Sequence, residues 1–138
     1  MRRRVLTAGL VPLGALHLAW GLWAWLAPRH FFDTFPWSGR RWTAGYPPFN
    51  AHLVSDLGAT FTMIGVLLLL AAAVRDQRVT SVVLIGVIVF GALHLAYHAL
   101  DPGSLRGLDL AGSLVSLVLG VLVPTGLLAL ARTRGVPR

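Results

Sequence analysis

Residues 79–100 read VTSVVLIGVIVFGALHLAYHAL, a stretch that contains His94 and His98 but no lysine, arginine, aspartate or glutamate. An α-helix rises about 1.5 Å per residue, so roughly 20 apolar residues cross the hydrocarbon layer of a bilayer. Three further apolar stretches of similar length lie at residues 5–27, 53–74 and 110–131. The sequence therefore predicts an all-α fold, a single membrane domain over residues 1–138 built as a bundle of four transmembrane helices.

Composition supports the membrane class and excludes several kinds of chemistry. Hydrophobic residues make up 56% of the chain and charged residues only 12%, whereas a soluble domain carries roughly 25% charged residues. Cysteine is absent, which excludes disulfides, thiolate nucleophiles and thiolate metal ligands. The first apolar stretch exceeds the roughly 7–15 residues of a signal-peptide core, so we interpret it as a retained helix.

The arginines predict the orientation of the bundle. The larger group of them lies at the helix ends that carry the termini: Arg2, Arg3, Arg4, Arg75, Arg78, Arg132, Arg134 and Arg138. The smaller group lies at the opposite ends: Arg29, Arg40, Arg41 and Arg106. The positive-inside rule then predicts a multi-pass plasma-membrane protein with both termini in the cytoplasm. The net charge of +7 is explained by topology and contact with membrane lipid, and no nucleic-acid partner is expected.

The long connection at residues 28–50 is rich in aromatic side chains on the predicted outer side. They are Phe31, Phe32, Phe35, Trp37, Trp42, Tyr46 and Phe49. Aromatic rings favour the headgroup layer of a bilayer, so the segment is predicted to be an interfacial loop. It would serve either as an aromatic belt or as a lid over the outer helix ends.

Histidine and aspartate residues form two pairs with helical spacing. His52 and Asp56 are four residues apart on one stretch, and His94 and His98 are four residues apart on the next. Each pair therefore shares one helix face. The tight turn between the two stretches makes them antiparallel neighbours, which places the pairs at matching depths near the outer membrane face. Ionisable groups at such positions are by default a hypothesis of function.

Imidazole and carboxylate groups are typical ligands of Zn, Cu, Fe or Mn. The predicted metal ligands are His52, Asp56, His94 and His98. His17, deeper on the first helix, is predicted to be a fifth ligand or a proton relay, and Asn50 and Tyr97 to supply hydrogen bonds around the cofactor. Such a divalent transition-metal site would suit a metal-dependent membrane oxidoreductase or hydrolase that acts on a lipophilic substrate.

Two other interpretations remain open at this point. A haem-b electron carrier would use His17 with His94, or His52 with His98, as axial ligands and exchange electrons with quinone. A non-catalytic accessory subunit of a larger membrane complex would use the same polar groups only to hold the helices together.

Small residues on the last helix predict close helix packing. Gly112, Ser116 and Gly120 recur at four-residue spacing, a pattern that lets membrane helices approach closely. The approach would occur within the bundle, or else in a homodimer or larger complex formed through this helix.

Residues 46–58 read YPPFNAHLVSDLG, and residues 94–98 read HLAYH. The two segments resemble those of a group of small actinobacterial four-helix integral membrane proteins, which carry Gly-Pro-Tyr-Asn-x-His-Leu-x-x-Asp-x-Gly and His-x-x-x-His segments. The resemblance implies the fold and a set of shared residues, Asn50, His52, Asp56, His94 and His98, but no reaction. This chain departs from the pattern at residues 47–49 and at Ala51, where an acid is common. A looser similarity to DoxX-like proteins rests on architecture alone.

Overall fold

The computed structural model describes residues 2–133, and within that range the chain is helical without strands. The elements are α1 (Arg2–Leu26), α2 (Pro28–Thr34), a 3-10 turn (Thr43–Gly45), α3 (Ala51–Val74), α4 (Gln77–Leu100) and α5 (Gly107–Arg132). Of these, α1, α3, α4 and α5 are long and apolar enough to cross a membrane. The predicted number and placement of long apolar helices are confirmed for the described residues.

Residues 28–50 were predicted to be a loop, but the structure has a short helix, α2, within them. Pro28 begins α2, a position at which its fixed φ and missing N–H suit the first helical turn. The Arg29 guanidinium lies 2.6 Å from the Asp33 carboxylate one turn later. Phe31 and Phe32 are buried, so α2 packs against the bundle through its aromatic side chains.

The turn between α3 and α4 makes these helices antiparallel. Arg75 ends α3 in the left-handed region, with φ of 57°. Asp76 then caps α4, because its Oδ1 accepts hydrogen bonds from the Arg78 and Val79 amides at 2.8 and 2.9 Å. Side-chain oxygens at this position satisfy amides that have no partner within the helix.

The closest helix packing joins α1 to α3 through four glycines. They are Gly14 and Gly21 of α1 and Gly58 and Gly65 of α3. A Cβ atom on Gly58 would lie 2.6 Å from the Trp25 backbone nitrogen, and one on Gly65 would lie 2.6 Å from the Leu18 backbone nitrogen. The two backbones are therefore in direct contact, as small residues allow in membrane helices.

The other long helices, α4 and α5, form a second pair, and α1 contacts α5 only sparsely. One end of the bundle carries residues 27–50 and the α4–α5 connection, and we call it the loop end. The opposite end carries Arg2 and the turn at Arg75, and we call it the terminal end. Leu10, Leu68 and Leu84 pack together nearer the terminal end, whereas an aromatic cluster around Phe31 packs at the loop end. A cavity lies between the two helix pairs.

Candidate ligand-binding cavity

A cavity of about 390 Å³ lies between the two helix pairs beneath the loop end. All four long helices and residues of the 28–50 segment contribute to its walls. Most of the lining is apolar or aromatic, and the polar lining includes His17, Tyr46, His94, His98, Ser113 and Ser116. An apolar cavity with a few converging polar groups is the usual form of a small-molecule site.

His94 and His98 line this cavity from one face of α4. Their ring centroids are 4.6 Å apart, so the predicted shared helix face is confirmed for this pair. The His94 ring stacks on Phe90 at 5.4 Å between centroids. Phe61 of α3 lies edge-on to His94 at 6.5 Å and edge-on to His17 at 5.7 Å. His17 of α1 and His94 of α4 therefore both pack against the ring of Phe61.

The hydrogen bond of His17 indicates which of its ring nitrogens carries the proton. Nδ1 lies 2.8 Å from the Leu13 carbonyl oxygen. A carbonyl oxygen only accepts, so Nδ1–H of His17 must be the donor. In the neutral ring Nε2 then carries a lone pair, and His17 contributes a hydrogen-bond acceptor to the cavity lining.

Tyr46 and His98 form the polar contact nearest the loop end. The Tyr46 hydroxyl lies 2.6 Å from His98 Nδ1. Burial raises the pKa of Tyr46, and the negative charge of Asp101 and the neighbouring Tyr97 add to that rise. The phenol therefore stays protonated at neutral pH. Its hydroxyl is both a donor and an acceptor, so the tautomer of His98 decides which of the two groups donates. In the tautomer that carries Nε2–H, Tyr46 donates to Nδ1 and His98 presents an N–H donor to the cavity.

The raised pKa of Tyr46 predicts a measurable titration. A Tyr97→Phe variant leaves Tyr46 as the sole tyrosine, since the chain contains two. Its phenolate absorbance should appear with a midpoint above 10.0, the ordinary tyrosine value. Because the folded pKa exceeds the unfolded one, this group should lower stability only as the pH rises above about 10. A midpoint at or below 10 by ultraviolet difference titration would contradict the partial burial of the phenol.

Residues 35–46 cover the cavity at the loop end, and we call this segment the lid. Arg40 Nη1 and the Trp42 indole nitrogen donate to the same oxygen of Asp109 on α5, at 2.8 and 2.9 Å. The Ser104 amide and hydroxyl both donate to the Gly45 carbonyl oxygen, at 2.9 and 3.1 Å. The lid is thus bound to α5 and to the α4–α5 connection by several hydrogen bonds.

The structure does not bring the four predicted metal ligands together. His52 and Asp56 pair with each other at 3.3 Å, with side chains 81% and 62% exposed, and neither lines the cavity of His94 and His98. Among residues 2–133, no three histidine, aspartate or glutamate side chains are close enough to hold a metal ion. The reason is rotation: α3 turns Gly58 towards α1, which points the face of His52 and Asp56 outward.

The predicted cofactor-binding residues divide in the same way. His17 lines the cavity. Asn50 instead caps α3, where its side chain accepts a hydrogen bond from the Leu53 amide at 3.2 Å. Tyr97 is 56% exposed, and its ring packs at the edge of the site against His98 at 5.4 Å.

Tyr46, Trp42 and Phe61 line the cavity but are missing from the predicted site. The aromatic composition of residues 28–50 marks the first two as members of a possible lid. Phe61 has the spacing of an ordinary core residue, and the sequence carries no signal that separates it from one.

The small residues of α5 line the cavity in addition to allowing the predicted close packing. Ser116 and Gly120 line the cavity, and Gly112 lies against the Trp42 ring, where a Cβ atom would be 2.9 Å from the indole. Gly91 of α4 does approach the Gly120 carbonyl oxygen, at 3.2 Å from a built Cβ. These residues therefore allow both the α4–α5 contact and the open volume beside it.

Comparison with protein-family models, with curated proteins and with solved structures gives no match. The resemblances drawn from the short sequence segments stay predictions.

Proposed function

We propose that the chain is an integral membrane protein that binds a lipophilic small molecule, such as a quinone, in the cavity between its helix pairs. The observation that carries the proposal is a largely apolar cavity of about 390 Å³ with histidine and tyrosine groups at its loop end. Such a cavity accommodates an apolar body and gives hydrogen bonds to a small polar head.

The access route supports a ligand that is dissolved in the bilayer. The cavity lining includes Leu16 of α1 and Leu119 and Val123 of α5, and these side chains are also exposed on the bundle surface. They flank the gap between α1 and α5, the helices that contact each other sparsely. A ligand would enter sideways through this gap from the hydrocarbon layer, while the lid closes the loop end against water.

The polar groups suit a head that carries a carbonyl or hydroxyl group. We assign His98 the tautomer that accepts the Tyr46 hydroxyl at Nδ1, in which it offers Nε2–H to a carbonyl oxygen. His17 offers a lone pair to a hydroxyl proton, since its Nδ1–H is bound to the Leu13 carbonyl. Quinones and their reduced forms carry these two kinds of group. Any redox step would need a partner, so the proposal is for binding.

The orientation and location belong to the same proposal. The arginines favour termini in the cytoplasm, which would place the loop end and its histidines at the outer face of the plasma membrane. A metal-dependent reaction and an axial haem pair stay predictions without support from the geometry. The accessory role is compatible with ligand binding.

A pair of α5 variants tests the cavity. Within the described chain, a Cβ atom on Gly120 or on Gly126 meets no heavy atom within 4 Å, but only Gly120 lines the cavity. Gly120→Leu should fill the cavity and weaken binding by about tenfold or more, equivalent to about 1.4 kcal/mol. Gly126→Leu should bind like the wild type.

Decylubiquinone titrated into nanodisc-reconstituted protein is a suitable probe, because Trp20 and Trp42 line the cavity and quinones quench tryptophan fluorescence. We expect saturable quenching in the wild type and in Gly126→Leu. Quenching that rises without saturation in the wild type, or equal affinities in the two variants, would overturn the proposal.

A further inference from the structure

A second cavity, of about 260 Å³, opens at the terminal end of the bundle. It lies between the start of α1, the α3–α4 turn and the end of α5. Its charged lining consists of Arg2, Arg3, Arg75 and Asp76 in the part of the chain that the structure describes. Three guanidinium groups therefore line a space that contains one carboxylate, and the guanidinium of Arg2 also donates to the Thr133 carbonyl oxygen.

The carboxylate of Asp76 is already engaged. Its Oδ1 accepts hydrogen bonds from the amides of Arg78 and Val79 at the start of α4. Its backbone carbonyl accepts the Thr80 hydroxyl at 2.8 Å. Asp76 thus serves to cap the helix, and the local charge balance of the cavity remains positive.

The buried lining of this cavity is mostly apolar, and the hydroxyl of its buried polar member, Thr80, is bonded to the Asp76 carbonyl. Leu10, Ala71 and Ala131 line it and are almost fully buried. The cavity thus has a cationic rim at the end of the helices and apolar walls below. This order of polarity matches that of a phospholipid, whose charged headgroup lies above its acyl chains.

We propose that the terminal-end cavity binds a phosphate group, supplied by the headgroup of an anionic phospholipid. Guanidinium groups bind phosphate oxygens through paired, charge-assisted hydrogen bonds. Basic pockets between membrane helices on the cytoplasmic side are suited to anionic headgroups. The site is separate from the loop-end cavity, and its ligand binding is independent of the proposed function.

Native mass spectrometry of the detergent-purified full chain tests this proposal with dioctanoyl phosphatidylglycerol as the probe. We expect one lipid to bind at least tenfold more tightly than dioctanoyl phosphatidylcholine. Arg3→Gln combined with Arg75→Gln should remove most of this preference. The matched control is Arg78→Gln, since Arg78 is three residues from Arg75 but does not line the cavity; this variant should keep the preference within twofold.

Inorganic phosphate distinguishes the two sources of the same chemical group. Phosphate at millimolar concentration should compete weakly with the lipid, because it cannot use the apolar walls. Displacement of the lipid by phosphate at the lipid's own concentration would identify a free-anion site and overturn the lipid assignment. Equal loss in Arg78→Gln and in the double variant, or no preference for phosphatidylglycerol in the wild type, would overturn the site itself. Arg3→Gln alone, with a smaller loss in the same direction, guards against misfolding of the double variant.

Discussion

Replacement of Gly58 by alanine is expected to disrupt the bundle, although it adds only one methyl group. The new Cβ atom would lie 2.6 Å from the Trp25 nitrogen and 2.8 Å from the Gly21 carbonyl oxygen. Both are backbone atoms of α1, which cannot rotate away as a side chain can. The helices must separate, and overpacking of this kind costs about 1–3 kcal/mol. The melting temperature in detergent, followed by tryptophan fluorescence, should fall well below that of the wild type.

Glycines at other helix positions provide the control. Gly86 of α4 and Gly126 of α5 have no heavy atom of the described residues within 4 Å of a built Cβ atom. Alanine at such exposed positions should stabilise the helix by up to about 1 kcal/mol, because glycine loses more backbone entropy on folding. Opposite signs for Gly58→Ala and Gly86→Ala are therefore expected. Equal melting temperatures would show that α1 and α3 do not meet at their glycines.

Replacement of Asp109 by alanine is expected to release the lid. A single carboxylate oxygen accepts the hydrogen bonds of both Arg40 and Trp42. Hydrogen bonds to a charged acceptor contribute about 1.5–3 kcal/mol, and the partial exposure of this pair reduces that value. Opening of the lid should become easier by about 1.4 kcal/mol, which corresponds to a tenfold change in its equilibrium constant.

Hydrogen exchange measures that opening directly. The Trp42 and Tyr46 amides are bonded within the segment, to the Phe35 and Thr43 carbonyls, so their exchange reports its release. About tenfold faster exchange is expected in Asp109→Ala. Asp56→Ala serves as the control, because Asp56 pairs only with exposed His52 among the described ion pairs. The same exchange rates in both variants would refute the anchoring role of Asp109.

Release of the lid should also lower the affinity for the proposed ligand. Tyr46 follows the 3-10 turn of the lid and is hydrogen-bonded to His98. Opening of the lid removes this partner from His98 and exposes the cavity to water. Decylubiquinone should bind Asp109→Ala more weakly than the wild type. The same affinity in both proteins would mean that the lid covers the cavity without contributing to binding.

The two residue pairs, His52 with Asp56 and His94 with His98, were only partly predictable from the sequence. Four-residue spacing correctly predicts that the two members of each pair share a helix face, since His94 contacts His98 and His52 contacts Asp56. The same spacing is silent on the direction in which each face points. In the structure one pair lines the cavity, whereas the other is exposed and does not line it.

The glycines explain the difference. Gly14, Gly21, Gly58 and Gly65 recur every seven residues on two helices, and their seam sets the rotation of α3 about its axis. The sequence identifies this glycine contact only once α1 and α3 are known to pack against each other. The small residues at four-residue spacing on α5 predict close packing equally well. The sequence of a single helix does not show which other helix it contacts.

The sequence alone determines the number of long apolar helices, their approximate bounds and the shared faces of the two ionisable pairs, because these follow from hydropathy and the 3.6-residue repeat. Tertiary structure decides which faces meet, how the lid is anchored by Asp109, and that Tyr46 joins His17, His94 and His98 around one cavity. The physical reason is that hydrophobicity is nearly uniform around membrane helices. Their rotation is set instead by close backbone contact and by hydrogen bonds between residues far apart in the chain.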